Sequence, residues 1–229
     1  MDKQNLKYYS ESEERLNVLT HGLGLILNAS NINATTLKIS PNPCVSTLIL
    51  LAFKAQNFEV SSHVISFVIF GVSMILLYAA STFYHASQKP ERRLKLKIAD
   101  HIAIYFLIAG TYTPFTLVTL EGDLGWTIFG VTWGVAFLGM IFKLFFTGKF
   151  SKISTLSYVV MGWMIVFIIG PLADALPTDG LYWLIGGGIF YTVGAILYSL
   201  PKLKYNHAIF HVFVLLGSFS HFMTVYLYV

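Results

Sequence analysis

Read for its pattern of apolar and polar positions, the chain is a series of long hydrophobic runs separated by short polar turns. Six of these runs exceed 18 residues and hold few charges, which is the signature of membrane-spanning helices. They predict spans over about His63–His85, Ile98–Leu120, Gly125–Phe146, Ile153–Ala173, Leu181–Leu200 and His207–Val229. A further run opens the series but is irregular. Leu16–Leu27 is apolar and short, Asn28–Pro43 (NASNINATTLKISPNP) is polar with two prolines, and Cys44–Phe53 is apolar again. Neither apolar piece alone crosses ~30 Å of hydrocarbon as a helix. Three readings fit this first span: it is broken, a polar insertion loops out of it, or the stretch is frameshifted. The predicted fold is therefore all-α, an integral membrane bundle of seven transmembrane helices with an irregular first span. Residues 1–15 form a polar N-terminal tail and residues 16–229 the membrane domain. The tail carries no apolar core of the kind a cleaved signal peptide needs.

Composition narrows the function. Hydrophobic residues make up 55% of the 229 and charged residues 11%, with a mean hydropathy of +0.67. Ordinary soluble domains carry roughly 25% charge. A typical soluble enzyme, a disordered chain and a nucleic-acid binder are excluded. The lone cysteine, Cys44, rules out an intrachain disulfide and a thiolate metal cluster, so any metal would need the histidines, of which there are seven, and carboxylates.

Charge placement sets orientation. With the N-terminal side taken as inside, Lys3, Lys7, Arg15, Lys89, Arg92, Arg93, Lys95, Lys97, Lys143, Lys149, Lys152, Lys202 and Lys204 all fall inside, which is 13 of the 15 basic residues. Only Lys38 and Lys54 lie on the other side, with Glu59, Glu121, Asp123, Asp174 and Asp179. By the positive-inside rule the N-terminus is cytoplasmic and the C-terminus external. Trp126, Tyr182, Trp183, Tyr226 and Tyr228 suit interfacial belts, and Gly130 with Gly134, like Gly186–Gly188, is expected to let helices pack closely.

Ionisable groups inside a span are costly and mark function. Ser81 and His85, four apart on one helix face, end the second span. Asp100 and His101 start the third. His207 and His211, again four apart, start the seventh. Three helices thus bring polar groups to one depth of one leaflet. His207 and His211 have the spacing of two imidazoles on one metal, and His85 adds a third, leaving a fourth position open as in catalytic zinc sites. Ring nitrogens ~3–4 Å apart are expected there. Asp100 can ligate, orient a water or accept its proton, and Ser81 can hydrogen-bond a carbonyl. His21 and His63 read as interfacial. His101, about 100° round the helix from Asp100, reads as a packing or supporting group. His221 either bonds across helices or lines a cavity. Pro114 is expected to kink its helix, with Thr111 or Thr113 satisfying freed backbone.

Those stretches, Ser81-Thr-Phe-Tyr-His85, Asp100-His-Ile-Ala-Ile-Tyr-Phe-Leu-Ile-Ala-Gly-Thr-Tyr-Thr-Pro114 and His207-Ala-Ile-Phe-His211, resemble the hemolysin III family, bacterial relatives of the progestin and adipoQ receptors. Glu14-Arg-Leu-Asn17-Val-Leu-Thr20-His21-Gly22 matches the start of that family's first span, and the likeness covers nearly the whole chain. Residues 28–43 depart from it. The resemblance implies seven helices, an N-terminus inside, a zinc ion held by residues matching His85, His207 and His211, an aspartate matching Asp100 that holds a water at the zinc, and a serine matching Ser81 beside them. The wider superfamily includes alkaline ceramidases. The implied function is zinc-dependent hydrolysis of a lipid amide in the bacterial cytoplasmic membrane, with a membrane lipid or acyl-chain ligand as partner and no nucleic acid. A receptor-like protein with structural zinc and a pore-forming hemolysin are the alternatives. Oligomeric state is not legible in the sequence.

The orientation is testable with a reporter enzyme that works only outside the membrane. Alkaline phosphatase fused after Val229 is expected to be active and fused at Lys149 inactive; the reverse pattern rejects the assignment.

Overall fold

The computed structural model describes residues 6, 8–29, 51, 54, 61–147 and 149–229. The interruption expected at 28–43 lies almost wholly outside these residues, as do Lys38, Cys44 and Glu59. The described chain is helical: α1 (Glu11–Ala29), α2 (Ser61–Ala86), α3 (Pro90–Pro114), α4 (Gly122–Phe146), α5 (Ser151–Gly162), α6 (Ile169–Ala175), α7 (Thr178–Tyr198) and α8 (Asn206–Tyr228). Six helical stretches are long and apolar enough to cross a membrane, counting α5 to α6 as one. With α1 beside them, the protein is an all-α, multi-pass membrane bundle.

The expected spans are present, with displaced ends. α3 starts eight residues before the predicted Ile98, with Pro90 in its first turn, where a missing N–H costs nothing. The segment Glu91–Lys97 is charged and still helical because Arg93 and Lys97 are buried by protein. The fifth span is not one α-helix. It tightens into a 3₁₀ segment over Trp163–Ile168 between α5 and α6. Pro114 does disturb its helix, and the backbone widens into a π segment over Phe115–Thr119. The hydroxyls of Thr111 and Thr113 donate to the Leu107 and Ala109 carbonyls, 2.8 and 2.9 Å away, and not to the Gly110 carbonyl that Pro114 leaves without its N–H.

The helices form a ring. α1 packs on α2, α2 on α3, α7 on α8, and α8 returns to α1. α5 bridges α3 and α7 with less contact, and α4 lies outside against α3. The core sits between α2, α3 and α8 around Phe67, Phe70, Met74, Tyr78 and Val225. The glycines that permit this packing are not those of the GxxxG pair. Among the described residues nothing lies within 4 Å of a Cβ placed on Gly130 or Gly134, whereas within Gly186–Gly188 the expected close approach is made by Gly187, where a Cβ would run into His221 Cδ2. A Cβ on Gly110 would instead stand 2.5 Å from Ser73 Oγ, and one on Gly194 2.7 Å from Phe213 Cβ.

Opposite effects follow for two formally identical changes. Gly110→Ala is expected to lower stability by about 1–3 kcal/mol through overpacking, whereas Gly134→Ala raises it by about 0.5–1 kcal/mol through helix propensity. Thermal unfolding of the purified protein in detergent checks both signs.

Candidate metal centre

Four helix ends meet on the face of the bundle that carries the basic turns. α2 ends there, and α1, α3 and α8 begin there. The turn from α7 to α8 delivers the first histidine pair. Asn206 Nδ2 donates to the Tyr198 and Leu200 carbonyls at 2.9 and 3.2 Å, and Tyr205 takes the left-handed conformation (φ 59°) that lets α8 start at once. His207 and His211 then fall on one face of the first two turns of α8, and His85 comes from the last turn of α2.

The structure brings these three together. Nε2 of His207 lies 3.0 Å from Nε2 of His85 and 3.0 Å from Nε2 of His211. All three residues are buried, and their ligand atoms lie within 4.8 Å of one another. Tetrahedral coordination at ~2.05 Å puts nitrogens about 3.3 Å apart, so the spacing fits an ion closely.

Tautomers make the same point chemically. His85 Nδ1 lies 2.6 Å from Glu14 Oε2, and a carboxylate only accepts, so His85 carries its proton on Nδ1. The Thr20 hydroxyl already donates to the Leu16 carbonyl at 2.8 Å. Its oxygen therefore accepts from His211 Nδ1, 3.2 Å away, and the Asn17 carbonyl is also within reach of that ring. Both rings thus turn bare Nε2 lone pairs towards His207, which can donate to only one of them. A cation at the centre satisfies all three, and the residues fit a metal site.

The centre is held from outside by groups that sequence reasoning did not rank as functional. Glu14 bridges His85 and the fully buried Arg93, and accepts the Tyr9 amide at 3.2 Å. Burial pushes the Glu14 carboxyl up, but the hydrogen bond from His85, the Tyr9 amide and the Arg93 charge hold it below its ordinary value, so it stays ionised. Arg93 also donates to the Tyr84 and Ser87 carbonyls at 3.4 and 3.1 Å, closing the C-terminal end of α2. Asn17, fully buried, lies 3.3 Å from His85 Nδ1. Tyr9 stacks on His207 with ring centroids 4.7 Å apart.

His21 is not interfacial. It is 3% exposed and stacks on His211, centroids 3.5 Å apart and planes within 10°. Its burial follows from helical spacing: Glu14, Asn17, His21 and Gly24 form one inward stripe on α1. His63 lies at the far end of α2, half-buried, in keeping with the interfacial reading.

Asp100 is buried on α3 outside the histidine cluster, with His85 and the Ser81 hydroxyl as electrostatic neighbours. Ser81 Oγ is buried next to it but makes no hydrogen bond of good geometry among the described residues. His101 supports the turn, its Nδ1 donating to the Lys97 carbonyl at 2.7 Å. His221 does both things expected of it: it donates to the Leu184 carbonyl at 3.1 Å and lines a cavity.

That cavity has a volume of about 560 Å³. His207, His211 and Asp100 line it at one end, Tyr191 and His221 deeper in the bundle.

The chain matches the family model described as Haemolysin-III related over residues 9–222. It belongs to the haemolysin III family. Hemolysin-3 of Bacillus cereus is 45% identical over 217 residues, covering 95% of this chain and 92% of that protein. The Hemolysin-3 homolog of Bacillus subtilis (strain 168) is 40% identical over 220 residues, 96% of each. The human monocyte to macrophage differentiation factor is 25% identical over 166 residues, 70% of this chain and 68% of that protein. As a haemolysin III family member the chain is thus a membrane protein whose three buried histidines can hold a metal ion.

The support for His85 is open to measurement. Glu14→Gln, which can still accept a hydrogen bond but loses the charge, is expected to weaken metal affinity about 10–100-fold. Competition with a chelating dye, followed on the purified protein, reads that change, and an unchanged affinity removes Glu14 from the centre.

Proposed function

We propose that this protein holds zinc at His85, His207 and His211 and hydrolyses the amide bond of a membrane lipid near the cytoplasmic face. The observation that carries the reading is the convergence of three oriented Nε2 atoms at the mouth of an apolar cavity, with a buried carboxylate alongside. An all-histidine donor set suits zinc. Bound there, zinc would polarise a carbonyl and acidify water.

The chain's own residues supply the rest. Glu14 and Thr20 keep the proton on Nδ1 of His85 and His211, so the Nε2 lone pairs turned inwards stay available. Asp100 takes a proton from water as its oxygen adds to the carbonyl carbon, and returns it to the amine as the C–N bond breaks. Ser81 donates to the oxygen on which negative charge develops. The cavity walls take up the acyl chain and exclude water from it.

The same geometry ties α1, α2 and α8 together, and this favours a second reading, a receptor-like protein in which the metal is structural. The two part on turnover.

Elemental analysis is expected to find one zinc per wild-type chain and none in His85→Ala. Wild type incubated with ceramide-like and other N-acyl lipids is expected to release fatty acid, and a chelator to stop it. Asp100→Asn keeps the zinc and loses about 10²–10⁴ in kcat. Zinc without release from any substrate, with a lowered Tm in His207→Ala, establishes the structural role instead.

A further inference from the structure

The mouth of the cavity carries positive charge that the proposed chemistry does not use. Lys97, Lys143 and Lys149 line it, and Asp100 is the one carboxylate among its described lining residues. With the histidines neutral, the described lining residues there carry three cations and one anion, a net charge of +2.

Lys143 is the telling residue. It is 1% exposed, on the last turn of α4, and its ammonium donates to Ser154 Oγ at the start of α5. It makes no ion pair among the described residues. Lys97, of the same sign, and His101 line the same cavity. Lys97 in turn is 7% exposed and lies within electrostatic reach of Asp100. Holding the buried Lys143 ammonium on a hydroxyl, with no carboxylate paired to it among the described residues, costs free energy unless an anion joins it. Lysines that merely reach for bilayer phosphates do so along the lipid-facing surface; Lys143 instead turns into the protein, towards the cavity.

The wall of α3 gives the direction of a ligand. Lys97, Asp100, Ile104, Leu107 and Thr111 all line the cavity and run from charged to apolar over roughly 21 Å at 1.5 Å per residue. Across from them, Ser154 and Thr155 of α5 flank the basic end, and apolar α5 positions follow below. Lys97 stands one turn, about 4.5 Å, towards the basic face from Asp100. A molecule with an anionic head at the lysines would lay its next few atoms beside Asp100 and His207, and its chain along Leu107 and Val214.

We infer that Lys97, Lys143 and Lys149 form a binding site for the anionic head group, a phosphate or a carboxylate, of an acyl-chain amphiphile that fills this cavity. This deepens the hydrolase reading, and rests on it only for the statement that the amphiphile is a substrate. It directs the substrate search from neutral ceramides to acyl amides with an anionic head. Binding itself is independent of turnover.

The test uses the full chain, zinc-loaded, in an uncharged maltoside detergent, with three probes: dodecyl phosphate, dodecanol and inorganic phosphate. Binding is followed by titration calorimetry. Dodecyl phosphate is expected to bind at least about tenfold more tightly than dodecanol, the worth of one charge-assisted contact. Inorganic phosphate at the same concentration is expected to give no heat. Lys143→Gln is expected to remove most of the preference for the phosphate, and Lys143→Arg to keep it, with one zinc retained in both. Equal affinity for the phosphate and the alcohol overturns the proposal. So does inorganic phosphate binding as tightly as the dodecyl ester, because a free anion would then be the occupant. A preference that survives in a folded, zinc-replete Lys143→Gln overturns the assignment to these lysines. Absence of lipid hydrolysis with the preference intact counts against the enzymatic reading alone.

Discussion

Glu14 is an ionised carboxylate set between an arginine and a histidine within a bundle whose outer surface faces hydrocarbon, and the basic face is organised around it. A carboxylate there can only accept, so His85 must donate and must present its other nitrogen inwards. Arg93 is the counter-charge, and its remaining donors close the end of α2. One network therefore fixes a tautomer, a helix terminus and the mutual placement of α1, α2 and α3. Removing any member leaves a buried charge or carbonyl without its partner, which costs far more than the contact is worth in water.

The membrane spans were legible because hydrocarbon demands long apolar runs, and six of the runs became helices at the expected places. The three-histidine centre was legible for a related reason. Polar groups are scarce inside spans, so a recurrence of His, Ser and Asp at one depth on three helices stands out, and His85, His207 and His211 do meet at 3.0 Å contacts. The failures share a cause as well. Ending a span at its charges misplaces the start of α3, where Arg93 and Lys97 are buried by protein and not by lipid. Reading His21 as interfacial weighed its depth and not its face: at i+7 from Glu14 and i+4 from Asn17 it had to share their inward stripe. The GxxxG pair on α4 faces no neighbour because α4 lies at the rim of the bundle, a fact of topology that local spacing does not carry. The 3₁₀ stretch at Trp163–Ile168 is signalled only from its flanks, by Gly162 before it and by Pro171, which has no N–H for the Phe167 carbonyl four residues back.

Packing strength is divided unevenly between the two sides of the site. On the histidine side α1, α2 and α8 interlock, with Tyr9 on His207 and His21 on His211 leaving the imidazoles little freedom to turn. On the cavity side α5 and α6 bury few of their side chains and touch α3 and α7 sparingly, and Phe167 is 87% exposed. Coordination tolerates errors of tenths of an ångström, so its supports have to be stiff. The proposed acyl chain has many conformers and is best met by a wall that yields, and segments with few buried contacts are the ones that yield first. The break at Trp163–Ile168 falls in that wall, beside the apolar part of the cavity, whereas every helix that supplies a histidine to the centre runs unbroken through its ligand positions. The stiff and the compliant halves are joined by α3, which carries Arg93 towards the histidine side and Asp100 and Lys97 towards the cavity. Any shift of α3 along its axis would therefore move the carboxylate relative to the histidines, and the Glu14–Arg93 pair, with the Arg93 bonds to Tyr84 and Ser87 and the close approach of Gly110 to Ser73, opposes that shift.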